Sequence, residues 1–445
     1  MLTQELLKKY KDQFDANPAN AAAAHAIAEN GINKSSIDRE VKRRHTFAFS
    51  DETKHGEITN QKRSGRCWMF SALNTARVHA MNEMNVETFE FSQNYPLFWD
   101  KLEKSNYFLT SIIETVDEPQ DSRLIWHLLQ APIQDGGQWE MFAGLLHKYG
   151  AVPKSIMPET FHSSNTISEM NNILTDKLRE FASVLRKMAK DGASTEELEA
   201  KRDDQLYFVY QYLVKTLGPV PETFDYAYRD KDDNFHKIED ITPQEFFKQY
   251  GGIDVEHMVS LINAPTEDKP YHKTYTVQYL GSVAEERPIK YLNVEIDDIK
   301  QAAIRSIQDG KPVWFGCDVT KLTERDSGIM DMNIFAYKDT LGETFEMTKA
   351  ERLDYSVSML THAMVLSGVD LDSDGKPINW KVENSWGDKV GQKGFYSMSD
   401  EWFDEYTYQI TVPEKYVTET ERKEYDQEPI ELKPWDPMGA LAWNK

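Results

Sequence analysis

The apolar pattern changes character near residue 274, and that change constrains the fold more than any other feature of the chain. Before it, Met170, Leu174, Leu178, Phe181, Leu185 and Met188 recur at spacings of three and four, the period of a helix face. Gly192 ends that stripe, and Ser194 with Glu197 fits a capping box opening the next helix. Leu206, Tyr210, Leu213 and Leu217 form a second stripe, closed by Gly218-Pro219. After it, residues 275–280, 313–319, 363–369, 380–386 and 394–398 are short runs rich in β-branched and aromatic side chains, which predict strands. A helical half followed by a strand-rich half is the pattern of an α+β protein. Residues 1 to about 60 predict a polar helical lead-in, with a run of good helix formers over 21–28 and a basic, solvated helix face over 38–45. At 445 residues the chain exceeds what one core usually organises, so several domains or large insertions are expected.

Charge and cysteine usage narrow the function classes. The net charge of −23 repels phosphate backbones and anionic membranes, which argues against a nucleic-acid partner. No apolar stretch is long enough to span a bilayer, and the first residues lack the basic-then-apolar pattern of a leader. With only two cysteines, Cys67 and Cys317, a reducing cytoplasm is the expected compartment. There is no His-Glu-x-x-His, no Cys-x-x-Cys and no phosphate-cradling glycine loop, so neither a metal nor another cofactor is expected.

Four short segments carry chemistry. Gly65-Arg-Cys-Trp68 runs into Met69, Leu73, Ala76 and Ala80 at helical spacing, so Gly65 supplies a turn and Cys67 opens a helix. A helix N-terminus and a nearby imidazolium are the two influences that lower a thiol's pKa and make it a nucleophile. Cys317, inside an apolar strand, reads as a structural thiol. Gln61, shortly before Cys67, can offer an amide N–H to the oxyanion formed when a thiolate attacks a carbonyl. His362 opens an apolar strand, and Asn384 follows in Glu383-Asn-Ser-Trp-Gly387. Trp380, Val382, Asn384 and Trp386 are expected on one strand face, with the Asn384 amide oxygen fixing the tautomer of His362 and Trp386 shielding that bond. In Asp135-Gly-Gly-Gln-Trp139, Gly136 and Gly137 would let an extended substrate approach the backbone as an added strand.

These segments resemble the bleomycin hydrolase and aminopeptidase C family of papain-like cysteine peptidases. The resemblance runs nearly end to end, and includes Trp435-Asp-Pro-Met-Gly-Ala-Leu-Ala442, a block that ordinary papains lack. It implies a papain-like two-lobed fold: a helical lobe, a β-barrel-like lobe, a large helical insertion and a C-terminal arm. The expected divisions are 1–58, 59–154, 155–300 for the insertion, 301–417 and 418–445 for the arm. The insertion accounts for His362 lying about 300 residues after Cys67, against about 130–150 in papains. The resemblance makes Cys67, His362 and Asn384 the catalytic trio and Gln61 the oxyanion donor. It places Gly136 and Gly137 along the cleft and a carboxylate near Ala442 against the substrate's ammonium. It further implies a homohexamer acting on short peptides as an aminopeptidase. An endopeptidase of the same family is the alternative; a nucleic-acid-binding barrel and a pseudoenzyme fit the charge and the intact trio less well. The chain departs from the family at Tyr355-Ser-Val-Ser358, where members read Tyr-Gly-Glu-Ser, and in residues 443–445, which follow Ala442.

Overall fold

The computed structural model describes residues 1–441; Ala442 and residues 443–445, on which part of the reading above falls, lie outside the described residues. The fold is α+β and papain-like, as the sequence pattern and the resemblance imply. Helices fill most of the first half, and a mixed twelve-stranded sheet organises the second. The strand His362–Leu371 lies inside that sheet, antiparallel to both Val313–Cys317 and Pro377–Glu383. Thr407–Pro413 continues the sheet beyond Val313–Cys317, and Phe395–Ser399 beyond Pro377–Glu383.

The insertion expected over 155–300 is helical only in part. Ser168–Lys190 and Thr195–Leu217 are long helices, and Ser194 and Glu197 form the expected capping box. Phe224–Arg229 and Phe235–Ile241 then form a hairpin. Met258–Ile262, Lys273–Val277 and Tyr291–Asn293 join the large sheet. A run of five residues such as Met258–Ile262, apolar except for Ser260, is too short for periodicity to distinguish a strand from a helix turn. In Ser168–Lys190 the expected stripe is buried from Met170 to Leu185. In Thr195–Leu217 the buried face is Leu198, Gln205, Val209, Leu213 and Leu217, while Tyr210 is exposed. That helix packs on both Ser168–Lys190 and Asn94–Glu114, so its buried face is rotated from the one that Leu206 and Tyr210 suggest.

Two cores result. One, between sheet and flanking helices, holds Phe315, Leu366, Trp380, Phe403 and Ile410. The other is largely helical and holds Trp68, Leu73, Leu97, Phe142, Leu174 and Leu213. The helix Cys67–Glu83 packs against His362–Leu371, and Trp314 and Ala363 of the sheet belong to the helical core. Trp68, Met69, Phe70, Ala72 and Leu73 are all buried, as are the polar Ser71, Asn74 and Arg77, so this helix is covered nearly all round and sits deep in the molecule.

Two glycines allow the approach of the 134–137 loop to that helix. Gly65 lies in the bend before the helix, as expected, without a left-handed backbone; a Cβ there would lie 2.8 Å from Asp135 Cβ. A Cβ on Gly137 would lie 2.4 Å from Cε2 of the fully buried Trp68. Gly137→Ala therefore has to displace Trp68 or the loop, at a cost of about 1–3 kcal/mol for overpacking. We expect its urea midpoint to fall with the slope unchanged; an unaltered midpoint would show that the contact is slack.

Candidate active site

Cys67 is the first residue of its helix and is buried. His362 is the first residue of its strand and is fully buried. Asn384 was expected inside the strand with Trp386, but the strand ends at Glu383. Asn384 and Trp386 lie in the segment that follows, and a bridge between Asn60 and Trp386 ties that segment to the loop before Cys67. The Gln61 N–H donates to the Ser385 carbonyl (2.8 Å), so the Gln61 and Asn384 loops run side by side.

The state of His362 follows from its hydrogen bonds. Asn384 Oδ1 lies 3.0 Å from His362 Nε2 and also accepts the backbone N–H of Ser385 at 2.8 Å. A backbone N–H can only donate, so the amide presents oxygen here and Nε2 must carry its hydrogen. Nδ1 is left with a lone pair, and it has no partner among the described residues although it is buried. The Trp386 ring lies 4.9 Å from the imidazole, tilted by 36°, and the Arg325 guanidinium lies 4.4 Å from the Trp386 ring centroid. Burial pushes the imidazole down to about 4; the bond to Asn384 pulls it up, and the charge of Arg325 pushes it down.

Cys67 departs from the sequence expectation of a lowered thiol. Burial pushes it up to about 12, and the backbone hydrogen bonds from Ala363, Trp68 and Cys67 itself, which pull the other way, do not compensate. Each group alone is therefore neutral near pH 7.

Gln61 is held by both ends of its amide. Nε2 donates to the Ser64 carbonyl (2.6 Å), and Oε1 accepts the Ser385 hydroxyl (2.6 Å). The amide keeps a second proton that makes no hydrogen bond among the described residues. Ser64 Oγ donates to the Gln61 carbonyl (2.7 Å) and accepts from Arg66 Nε (2.9 Å). Arg66 in turn grips Glu159 through two bonds of 3.0 Å.

Gly136 and Gly137, expected along the cleft, are buried instead. Lys104 donates to the Gly136 carbonyl (2.6 Å), and Gly137 faces Trp68. Ile133 and Gln134 of this loop line both grooves described below, and Asp135 lines one of them. Asp135 fastens the loop, accepting from Lys101 (2.7 Å), Asn171 (2.7 Å) and the Gly65 N–H (3.1 Å). Burial would raise its carboxyl, but Lys101 and these bonds outweigh burial and hold it at about 2. The sequence signal for this scaffold is the charged pair Lys101 and Lys104 set between the buried Leu97 and Phe98 and the buried Phe108 and Leu109.

Two grooves meet beside these residues and share Gln130, Ala131, Ile133, Gln134 and Thr320. One, of about 770 Å³, is lined by Val357, Leu360, Thr361 and residues 439–441 of the C-terminal arm. The other, of about 970 Å³, is lined by Ser64, Gly65, Arg325 and Trp386. Gln138 Nε2 pins the arm through the carbonyls of Met438 (3.0 Å) and Ala440 (2.9 Å). Asp436 pairs with Lys269 at 3.0 Å, and Arg123 lies 3.9 Å from the Trp435 ring centroid.

A profile of the Peptidase C1-like family matches residues 1–439. The chain belongs to this family. It is similar to Aminopeptidase C of Listeria monocytogenes, 48% identical over 441 residues and covering 99% of each chain. It is also similar to human bleomycin hydrolase, 41% identical over 430 residues, covering 95% of this chain and 94% of that one. The crystal structure of PepW from Lactobacillus rhamnosis superposes with a TM-score of 0.97 at 48% identity, covering 99% of both chains. Membership makes the chain a cysteine-type peptidase, as the resemblance implies. No helix among the described residues is long and apolar enough to cross a membrane.

The geometry generates a kinetic expectation. A protonated imidazole cannot accept the thiol proton, so kcat/KM should fall as pH drops through the His362 pKa, with the acid limb below the ordinary histidine value of about 6.5. Asn384→Ala should lower kcat by about 10–100-fold with little change in KM. Ser385→Ala, which frees Gln61, should lower kcat and leave the acid limb in place. An acid limb at or above the ordinary value, or an Asn384→Ala effect confined to KM, would contradict the arrangement.

Proposed function

We propose that the protein is a cysteine aminopeptidase that hydrolyses short peptides through an acyl-thioester on Cys67. In this reading His362 Nδ1 takes the Sγ proton and Sγ attacks the scissile carbonyl. The Gln61 amide and the N–H groups at the start of the Cys67 helix meet the oxyanion. The imidazolium then gives its proton to the leaving amine, and water activated by the same Nδ1 releases the acyl group. Asn384 keeps Nε2–H in place throughout, and Trp386 covers that bond.

The observation that carries the exopeptidase reading is the position of the arm. Residues 439–441 line the groove next to Leu360 and Thr361, immediately before His362. A chain approaching from that side meets the arm, so the substrate enters with its free N-terminus toward it and its leaving portion in the groove beside Trp386. The names of the relatives, Aminopeptidase C and bleomycin hydrolase, agree with this reading.

The same proposal includes a cytoplasmic homohexamer. Gln4–Asp15 and Pro18–Asn30 bury no residue, and Leu2, Leu7, Tyr10 and Phe14 stand exposed. Helices with so little packing of their own gain burial from a second copy of the chain. Enclosure in such an assembly would restrict substrates to short peptides.

Matched fluorogenic peptides with free and acetylated N-termini test the exopeptidase reading. We expect the free form to be preferred by more than about tenfold, on the order of one close charge contact. Deleting residues 439–445 should bring the two rates together, and Cys67→Ala should abolish both. Equal cleavage of both forms by the full chain would overturn the reading.

A further inference from the structure

The groove beside Trp386 is cationic, although the chain carries a net charge of −23. Lys62, Arg63, Arg179 and Arg325 line it, and the single carboxylate in its wall is Asp135. Asp135 is already committed to Lys101, Asn171 and the Gly65 N–H. Lys62, Arg63 and Arg325 are exposed and make no ion pair within 4.0 Å among the described residues. Arg325 instead lies over Trp386, and Arg179 donates to the carbonyls of Leu129 (3.1 Å) and Gln130 (3.2 Å) and pairs with Asp176 at 3.9 Å. Three uncommitted cations thus face one groove of a protein that is acidic as a whole.

We propose that this groove recognises a carboxylate on the leaving portion of the peptide, either the free C-terminus of a short substrate or an acidic side chain soon after the scissile bond. The proposal rests on the exopeptidase reading, which sends the leaving portion to this side. Lys62 and Arg63 directly precede Ser64 and Gly65, and Arg325 lies over the Trp386 ring, which also packs beside His362. The cations therefore flank the path of the leaving chain. Each residue of an extended chain advances about 3.3 Å, so a carboxylate one to three residues past the cut comes within their reach. A concave wall of one sign concentrates its field on a bound anion more than a flat surface does, and salt weakens that field. Such a site favours dipeptides and tripeptides over internal stretches of long chains by their own terminal charge.

Four peptides and one double variant test this. Leu-Gly-Gly is compared as free acid and as amide, and Leu-Asp-Gly-amide with Leu-Asn-Gly-amide, each also in N-acetylated form. We expect the carboxylate-bearing member of at least one pair to have a kcat/KM higher by about three- to tenfold, carried by KM, with the advantage shrinking as salt is raised. A difference in the first pair alone assigns the site to the C-terminus; a difference in the second alone assigns it to an acidic side chain. Lys62→Gln with Arg63→Gln should reduce the ratio. If that variant does not accumulate, the salt dependence of the wild-type ratio decides. Equal values within both pairs, or a ratio indifferent to salt, overturn the proposal. Cleavage of the acetylated peptides is a separate readout: it would defeat the exopeptidase reading and leave the carboxylate ratio to be judged on its own.

Discussion

Two donors converge on one amide oxygen, and the chemistry available to the site depends on that convergence. Asn384 Oδ1 faces the Ser385 N–H and His362 Nε2. The first donor is fixed by the backbone, so the second must be an N–H, and Nδ1 is the imidazole nitrogen left as a base. A carboxylate in place of Asn384 could accept the same bonds but would also stabilise the imidazolium by charge, and would raise a pKa that burial now holds at about 4. The neutral amide orients His362 and leaves the cost of charging it to the thiolate.

The surrounding structure is arranged to hold the loops that this geometry needs. Arg77, on the Cys67 helix, meets Glu383 at 2.6 Å with both side chains almost wholly buried, and Glu383 directly precedes Asn384. One ion pair therefore joins the element carrying the thiol to the element carrying the amide. Breaking such a pair from one side leaves an uncompensated buried charge and costs about 3–5 kcal/mol, far more than any surface pair. Arg66 with Glu159 holds Ser64 and through it Gln61, and Lys101 with Asp135 holds the loop against Gly65. Each of the three pairs spans segments distant in sequence: the first ends beside Asn384, the second beside Cys67, and the third reaches Gly65, two residues before Cys67, through the bond that Asp135 accepts from its N–H.

That explains what was legible in the sequence. Cys67 at a helix start, His362 at a strand start and the Asn-Ser-Trp-Gly segment are local patterns, and the structure brings their bearers into one neighbourhood. Strands such as Val313–Cys317 and Pro377–Glu383 were legible from composition. The ion pairs were not, because Arg77 and Glu383 are both unremarkable charges until a fold buries them together. The direction of the Cys67 shift was misread for a related reason: helix position is visible in sequence, but the depth of burial that outweighs it is not. Gly136 and Gly137 read as an open backbone because two glycines permit approach, and which neighbour approaches, here Lys104 and Trp68, is a tertiary fact.

The central claim is that His362 Nδ1 makes the buried thiol of Cys67 reactive by taking its proton. The rate of Cys67 alkylation by iodoacetamide, followed against pH by mass spectrometry in wild type and in His362→Ala, measures this directly. The account predicts rapid labelling of wild-type Cys67 near neutral pH, with the His362→Ala profile displaced far to the alkaline side, toward the lone buried thiol's value of about 12. Neutral-pH labelling that survives unchanged in His362→Ala would show that the histidine does not activate the thiol.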